Sequence, residues 1–144
     1  MTDTRAERAN IAIVRKFFEV GPSKCDLATA DALLHPEFFL HTPLPTPGPG
    51  IEAMKNVSMT CRAAFHGLNV TVDDIMADED TVTARFTARV IHKGEFMGHL
   101  PTGKTIMMTG IEIFRIKDGK IAELWGELKL MGLMQHLGIL PGSA

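Results

Sequence analysis

The apolar residues of this chain change their spacing once, near Gly67, and this change limits the fold more than any other feature. Before it they recur every three or four residues, as on one side of a helix, and after it they alternate, as in strands. Thr4 and Glu7 form a capping-box pattern at the start of the first helix. The predicted helices are residues 4–20, 27–34 and 51–65, and a short strand, 37–41, lies between the last two.

Four strands are predicted after the third helix. They centre on residues 68–72, 84–92, 107–116 and 121–130, and a short helix follows at 131–137. Asp118-Gly119 is a strong hairpin signal because both residues tolerate positive φ. Helices therefore precede an antiparallel sheet instead of alternating with its strands, which indicates the α+β class. If the three N-terminal helices cover one face of a strongly curved sheet, the concave side encloses a cavity.

Length and composition exclude several classes of function. The 144 residues suit a single domain over 1–144, and the net charge of −2 lacks the basic excess that nucleic acid requires. The start is too polar for a signal peptide and no apolar run could span a bilayer, so we expect a cytoplasmic protein with neither nucleic-acid nor membrane partners. Cys25, Cys61 and the histidines show no metal-ligand spacing, so no metal site is expected.

Several stretches match one known family pattern. The most specific is HKGEFMGHLPTGK, residues 92–104, which follows H-x-G-x-x-x-G-x-x-P-T-G-K; GIEIFRI at 110–116, DGKIAELW at 118–125 and GLMQHLG at 132–138 come after it. Upstream, HPEF at 35–38 and His41 fit the first strand of the same pattern. Over nearly its whole length the chain resembles the SnoaL-like polyketide cyclases of the nuclear transport factor 2-like superfamily.

The resemblance implies a cone-shaped fold, a homodimer and chemistry without cofactor or metal. Family members of known activity close a polyketide ring by intramolecular aldol addition, with an aspartate four residues after the tryptophan as acid and base. Counting from Trp125, that position is Lys129 in this chain. The usual catalytic aspartate is therefore absent.

The last predicted strand carries acids that could replace this aspartate. Alternation puts Glu123, Trp125, Glu127 and Lys129 on one face, and the resemblance implies that the Trp125 face lines the cavity. The sharpest hypothesis makes Glu127 the base and Lys129 its electrostatic partner. Lys129 could instead act as a base or Schiff-base nucleophile with a lowered pKa, or bind an anion as a counter-charge. A solvated ion pair without chemistry is the simpler interpretation.

Other candidates contribute to the same predicted pocket. His92 matches the family's pocket histidine and could contact a substrate carbonyl, and His41 could sit at the cavity too, although each could equally be structural. Glu112 shares a face with Phe114, and pairing across the hairpin could bring it near Glu123 or Trp125 as another acid; surface exposure is the alternative. Phe86 and Phe114 are expected as apolar walls that contact substrate. Arg85 and Arg89 form a polar outer stripe that faces a partner subunit or solvent.

Two functions therefore stay open at this point. In the first, the protein is a cofactor-free cyclase or isomerase that acts on a hydrophobic carbonyl compound. In the second, it is a member of the same fold that binds a hydrophobic small molecule, neutral or anionic, without turnover. The lysine at position 129 favours the second, and a carboxylate in the cavity would favour the first.

Overall fold

The helices and strands follow the predicted order, with one added two-residue strand. The computed structural model describes residues 4–20, 27–41, 48–96, 98–129 and 131–138. In that part of the chain the elements are α1 (Arg5–Val20), α2 (Leu27–Leu33), β1 (Leu34–His41), β2 (Gly48–Pro49), α3 (Gly50–Ala64), β3 (Phe65–Asp78), β4 (Thr81–His92), β5 (Thr105–Lys117), β6 (Lys120–Leu128) and α4 (Met131–His136). The loop predicted at 42–50 lies largely outside the described residues, and so does Cys25.

The capping box predicted at the start of α1 is confirmed. The Thr4 backbone N–H donates to Glu7 Oε1 at 2.8 Å, and the Glu7 backbone N–H donates to Thr4 Oγ1 at 3.1 Å. Glu7 Oε2 also accepts a bond from the Glu79 backbone N–H at 2.8 Å. The same side chain therefore caps α1 and ties it to the turn between β3 and β4.

The six strands form a single sheet in the order β2-β1-β6-β5-β4-β3. All neighbouring pairs are antiparallel except β1 and β6, which are parallel. The prediction of a wholly antiparallel sheet is wrong at this pair. After β1 the chain crosses through α3 to β3 at the far edge of the sheet. It then returns strand by strand to β6, which lies beside β1 and runs parallel to it.

The predicted hairpin between β5 and β6 is confirmed. Asp118 and Gly119 have φ angles of 53° and 74°, and Lys117 pairs with Lys120 around them. The register then shifts by one residue, since Ile116 pairs with Ile121 but Arg115 pairs with Glu123. Through this register, Glu112 lies opposite Gly126 and Ile113 lies opposite Trp125.

The core fills one face of the sheet, beneath the helices. Phe17 and Phe18 of α1 pack edge-on against Phe114, and Phe18 also contacts Phe86. Along β4 the buried residues alternate with more exposed ones from Val82 to His92, as expected for a strand with one face in the core. The α+β prediction is confirmed. Among the described residues, no helix is long and apolar enough to cross a membrane.

Candidate functional site

The last long strand, β6, turns the opposite face to the core from the one predicted. Ala122, Leu124 and Gly126 are buried, whereas Glu127 is exposed and Trp125 only half-buried. The prediction that the Trp125 face lines the cavity is therefore wrong. The physical reason is the cost of desolvation. Burying the Trp125 face would remove the charged side chains of Glu123 and Glu127 from water, whereas the opposite face, made of alanine, leucine and glycine, carries no charge.

The Trp125 side chain belongs to a cluster on the outer face of the sheet. The His41 ring stacks on it with ring centres 4.8 Å apart, and the Arg115 guanidinium carbon lies 5.2 Å from the Trp125 ring centre. Glu123 lies between the two basic groups, 3.1 Å from His41 Nε2 and 3.3 Å from an Arg115 nitrogen. His41 and Trp125, both predicted to contact substrate in the cavity, are thus held outside it.

Lys129 follows the end of β6 and is exposed. Its backbone N–H donates to the Thr109 carbonyl at 2.9 Å, which continues the pairing with β5 by one step. Glu127, two residues earlier, is exposed on the outer face. The predicted pair of Glu127 as base and Lys129 as partner therefore has no enclosed site in which to act.

The inner face carries a different acid, Glu112 on β5. Its strand neighbours on that face are Gly110 and Phe114, both buried, and it pairs with Ala84 of β4 and Gly126 of β6. It does not meet Glu123 or Trp125, which the sequence suggested as cross-strand neighbours. The strand register instead surrounds Glu112 with small or apolar residues.

Burial raises the pKa of the Glu112 carboxyl from 4.5 to about 8. No hydrogen bond or charge contributes to this shift, so desolvation alone is its cause. Part of the residue's surface nevertheless remains accessible, since its exposure is intermediate. From these two observations, an inner-face acid that protein surrounds and that keeps accessible surface, we infer a hollow beside Glu112 between the sheet and the helices. We therefore take Glu112 as the candidate functional acid.

Two glycines next to Glu112 show where there is room. A Cβ atom at Gly126 would meet only ordinary contacts, 3.9 Å from Glu112 Cγ and 3.9 Å from a Leu124 methyl carbon. A Cβ atom at Gly110 would lie 2.7 Å from the Phe86 ring and 2.8 Å from a Leu128 methyl carbon. The space over Gly110 is therefore filled by Phe86 and Leu128, whereas at Gly126 a Cβ atom fits at ordinary contact distance from Glu112, Leu124 and the His41 carbonyl oxygen.

The two phenylalanines predicted as pocket walls have different positions. Phe114 is fully buried and packs against Phe17 and Phe18, so it belongs to the core and has no surface for a ligand. The prediction of substrate contact for Phe114 is wrong, because α1 covers it. Phe86 is 5% exposed and lies over Gly110, two residues before Glu112 on β5, so its contact with substrate stays a prediction.

His92 lies at the far end of β4 in a polar cluster of its own. Its Nδ1 atom is 3.2 Å from His136 Nε2, and Thr102 Oγ1 is 2.8 Å from the same His136 nitrogen. The His92 side chain is fully buried, and its Nε2 atom has no hydrogen-bond partner among the described residues. Sequence reasoning found His92 but missed Thr102 and His136, because only the fold brings these three segments together.

His92 and Glu112 do not share one site. Glu112 pairs with Ala84, eight residues before His92 on β4, which amounts to roughly 27 Å along an antiparallel strand. No single reacting atom can contact both side chains. Within the described residues, no group of three histidine, cysteine or acidic side chains is arranged to hold a metal ion.

A second concave region opens on the outer side of the sheet, near β1, β5 and β6. Its volume is about 370 Å³, and its lining includes Glu37, Arg115, Lys117 and Glu123. Five charged side chains, these four and Asp80, make it unlike the apolar pocket that the sequence predicts. We therefore assign the candidate site to Glu112 and not to this groove.

The protein is an α+β domain with an acid on the inner face of its sheet, and sequence comparison gives its family. The chain belongs to the SnoaL-like polyketide cyclase family, which it matches over residues 12–137. No protein of curated function matches it significantly.

Solved structures with the same fold include three from Streptomyces. TsrD from Streptomyces laurentii is 30% identical with a TM-score of 0.81, and the match covers 93% of this chain and 98% of TsrD. IdmH from Streptomyces antibioticus, a proposed polyketide cyclase, is 31% identical with a TM-score of 0.79, covering 90% and 98%. AclR from Streptomyces galilaeus, a proposed hydroxylase, is 27% identical with a TM-score of 0.86, covering 96% and 86%.

Proposed function

We propose that the protein is a cofactor-free acid–base enzyme that acts on a neutral hydrophobic carbonyl compound in the cytoplasm, with Glu112 transferring the proton. The observation that carries this proposal is the Glu112 carboxyl, enclosed on an apolar inner face with a pKa of about 8. Proton transfer is most effective when the pKa of the catalytic group lies near the working pH. A carboxyl that is perturbed by desolvation in a concave site is a recognised mark of such a group.

The small partners of Glu112 support the proposal, because Ala84 and Gly126 on the adjacent strands leave the acid without bulky cross-strand neighbours. In an aldol closure, the Glu112 carboxylate takes a proton from a carbon next to a carbonyl, which leaves an enolate. The enolate carbon then attacks a second carbonyl carbon of the same molecule, and the new C–C bond leaves an alkoxide. Protonated Glu112 returns its proton to the alkoxide, so the enzyme ends as it began. Isomerisation uses the same two transfers without the bond-forming step.

The charge of the inner face favours a neutral substrate. At neutral pH a carboxyl with a pKa of about 8 is mostly protonated, so it can donate a hydrogen bond to a carbonyl oxygen. Its neighbours Ala84, Gly110 and Gly126 carry no charge that would balance an anion. The name of one relative agrees with this substrate class, since IdmH is a proposed polyketide cyclase.

A second function is supported by one observation and is kept as the alternative. Lys129 stands where the family's catalytic aspartate is expected, and it is exposed. A chain that has lost this group could bind a hydrophobic compound without converting it. In that case Glu112 would hold a ligand oxygen by a hydrogen bond and transfer no proton.

Deuterium exchange into a hydrophobic β-keto ester, such as ethyl 3-(2-naphthyl)-3-oxopropanoate, separates the two functions. The enzyme is expected to accelerate exchange at the carbon between the carbonyls, and kcat/KM is expected to rise with pH until about 8 and then level off, since the carboxylate is the base. Proton NMR follows the loss of the methylene signal. Binding of the ester without any accelerated exchange would support the alternative.

Glu127→Gln and Lys129→Ala are expected to leave this exchange rate and its pH profile within about threefold of the wild type, because both side chains are exposed and away from the hollow. A large loss of exchange rate in either variant would indicate that the proton transfer takes place at β6 and not at Glu112.

We also propose that the outer face of the sheet binds a second copy of the chain. Four exposed apolar side chains lie on it, Met76, Met107, Ile111 and Ile113, with exposures of 62%, 58%, 47% and 38%. The strand register places Met76, Thr83, Ile113 and Trp125 in one row across four strands. Arg85 pairs with Asp74 on the same face, 2.6 Å apart, so the face offers both signs of charge. A two-fold axis would match these groups with their own copies.

Ile113→Glu is expected to convert the dimer to a monomer at micromolar concentration, because it places a carboxylate in the middle of the apolar row. Met59→Glu is the matched control, since Met59 is 51% exposed but lies on α3. Sedimentation velocity measures both. A wild-type protein that is already monomeric, or an Ile113→Glu variant that stays dimeric, would contradict an interface on this face.

A further inference from the structure

Three segments that are distant in sequence meet at the His92 cluster. β4 contributes His92, the segment leading to β5 contributes Thr102, and α4 contributes His136 as its last residue. The Thr102 hydroxyl oxygen also accepts a bond from the Lys104 backbone N–H at 3.2 Å. The cluster thus fastens α4 and the 98–104 segment to the end of β4.

The surroundings of the cluster are apolar. Leu133 and Leu137, on and just after α4, are buried in one core cluster with Phe65, Val90 and Ile106. The His92 ring lies 5.6 Å from the Phe65 ring, centre to centre. Burial is uneven within the cluster, because His92 is fully buried whereas His136 is half-buried and Thr102 is exposed.

The hydrogen-bond geometry requires that at least one of the two facing nitrogens be unprotonated. His92 Nδ1 and His136 Nε2 are 3.2 Å apart, so one must donate and the other accept. If both imidazoles become cations, two N–H groups point at each other and the bond is lost. The Thr102 hydroxyl can accept a bond from a protonated His136 but cannot cancel its charge.

We propose that His92, Thr102 and His136 form a proton-operated latch, which holds α4 and the 98–104 segment on the sheet while either imidazole is neutral and releases them when His136 takes up the second proton of the pair. The inference is independent of the proposed function, because His92 lies eight residues along β4 from Ala84, the residue that pairs with Glu112.

The direction of the pH response follows from the charges around His136. Desolvation, the facing His92 and the Lys104 ammonium all lower the pKa of His136. The neighbouring half of β5, residues 105–109, contains no ionisable side chain. A histidine whose pKa is lowered in the closed state adds stability above its ordinary pKa of 6.5, and this stability is lost as the pH falls through the lowered value. The latch is therefore closed at neutral pH and opens in acid.

Amide hydrogen exchange of α4 tests the latch in the full-length protein. Between about pH 7.5 and about pH 5.5, after correction for the intrinsic exchange rate, protection of residues 131–137 is expected to fall at least about tenfold more in the wild type than in His136→Gln. Glutamine keeps a hydrogen-bonding group at this position but cannot take up a proton. His66→Gln is the matched control, because His66 is exposed on β3 and should leave the wild-type response unchanged.

A titration of the wild type by imidazole NMR keeps the test decisive if His136→Gln does not fold. His136 is expected to titrate below pH 6.5, with the same midpoint as the loss of α4 protection. Equal pH responses in the wild type and His136→Gln would overturn the latch. A loss of protection at a pH where His136 does not change its protonation would overturn it too.

Discussion

Replacing Glu112 with glutamine is expected to reduce catalysed deuterium exchange into the β-keto ester by about 10²–10⁴-fold, the usual contribution of a positioned acid–base group. Glutamine has nearly the same shape and can still donate a hydrogen bond to a carbonyl oxygen, but it cannot accept a proton from carbon. Affinity for the ester should therefore stay within a few fold while turnover is lost. Proton NMR of the exchange reaction and a fluorescence titration with the ester measure the two quantities separately.

Glu127→Gln makes the same chemical change on the other face of the sheet, and it is the control for this experiment. Glu127 pairs with Ile111, next to Glu112 in sequence, but it is exposed to solvent. Its replacement should leave the exchange rate nearly unchanged. If Glu112→Gln retains full turnover, Glu112 is not the proton-transferring group and the proposed mechanism fails.

Glu112→Gln is also expected to stabilise the fold at neutral pH by up to about 3 kcal/mol. This limit follows from the gap between the ordinary pKa of 4.5 and the pKa of about 8 in the folded protein. In the unfolded chain Glu112 ionises freely, whereas folding holds it protonated. This cost is absent below pH 4.5 and grows as the pH rises towards about 8. Because part of the side chain is still accessible, the measured gain should be smaller than this limit. A functional acid is thus expected to reduce stability.

Denaturant unfolding of the wild type and Glu112→Gln at several pH values between about 4 and about 8 measures this difference. The two proteins should have equal stability at the acid end, and the variant should be the more stable one at neutral pH. Glu127→Gln should follow the wild type throughout. A difference that does not change with pH would mean that folding leaves the ionisation of Glu112 unchanged.

The architecture could be predicted from sequence because its signals are local. The capping box at Thr4 and Glu7, the helical periods and the Asp118-Gly119 turn each depend on residues within a few positions of one another. The parallel pairing of β1 with β6 could not be derived in this way, since it depends on where the crossover through α3 returns the chain. Local patterns define the elements but do not fix every partner.

The inner face of β6 shows how a resemblance can outweigh a simpler signal. Alternation alone separates Ala122, Leu124 and Gly126 from the charged residues, and this pattern indicates that the apolar face is buried. The expected catalytic position led the prediction to the Trp125 face instead. Glu112 was within reach of the same reasoning, because it alternates with Phe114 on a strand whose core face is otherwise apolar.

Neither the room over Gly126 nor the His92 cluster could be read from spacing. Gly126 differs from Gly110 in what the fold places above it: atoms at ordinary contact distance in one case, and Phe86 and Leu128, too close for a Cβ atom, in the other. His92, Thr102 and His136 lie up to 44 residues apart and meet only when α4 docks on the sheet. Such features depend on packing, which residue type and period do not specify.

The ionisation of Glu112 in the folded protein tests the central claim most directly. Glutamate labelled with ¹³C at the side-chain carboxyl is observed by NMR as the pH is raised, and Glu112 is assigned by its loss in Glu112→Gln. The Glu112 signal is expected to titrate with a pKa of about 8, well separated from the exposed glutamates. A midpoint near 4.5 would show a solvated carboxylate and would contradict both the enclosed site and the proposed chemistry.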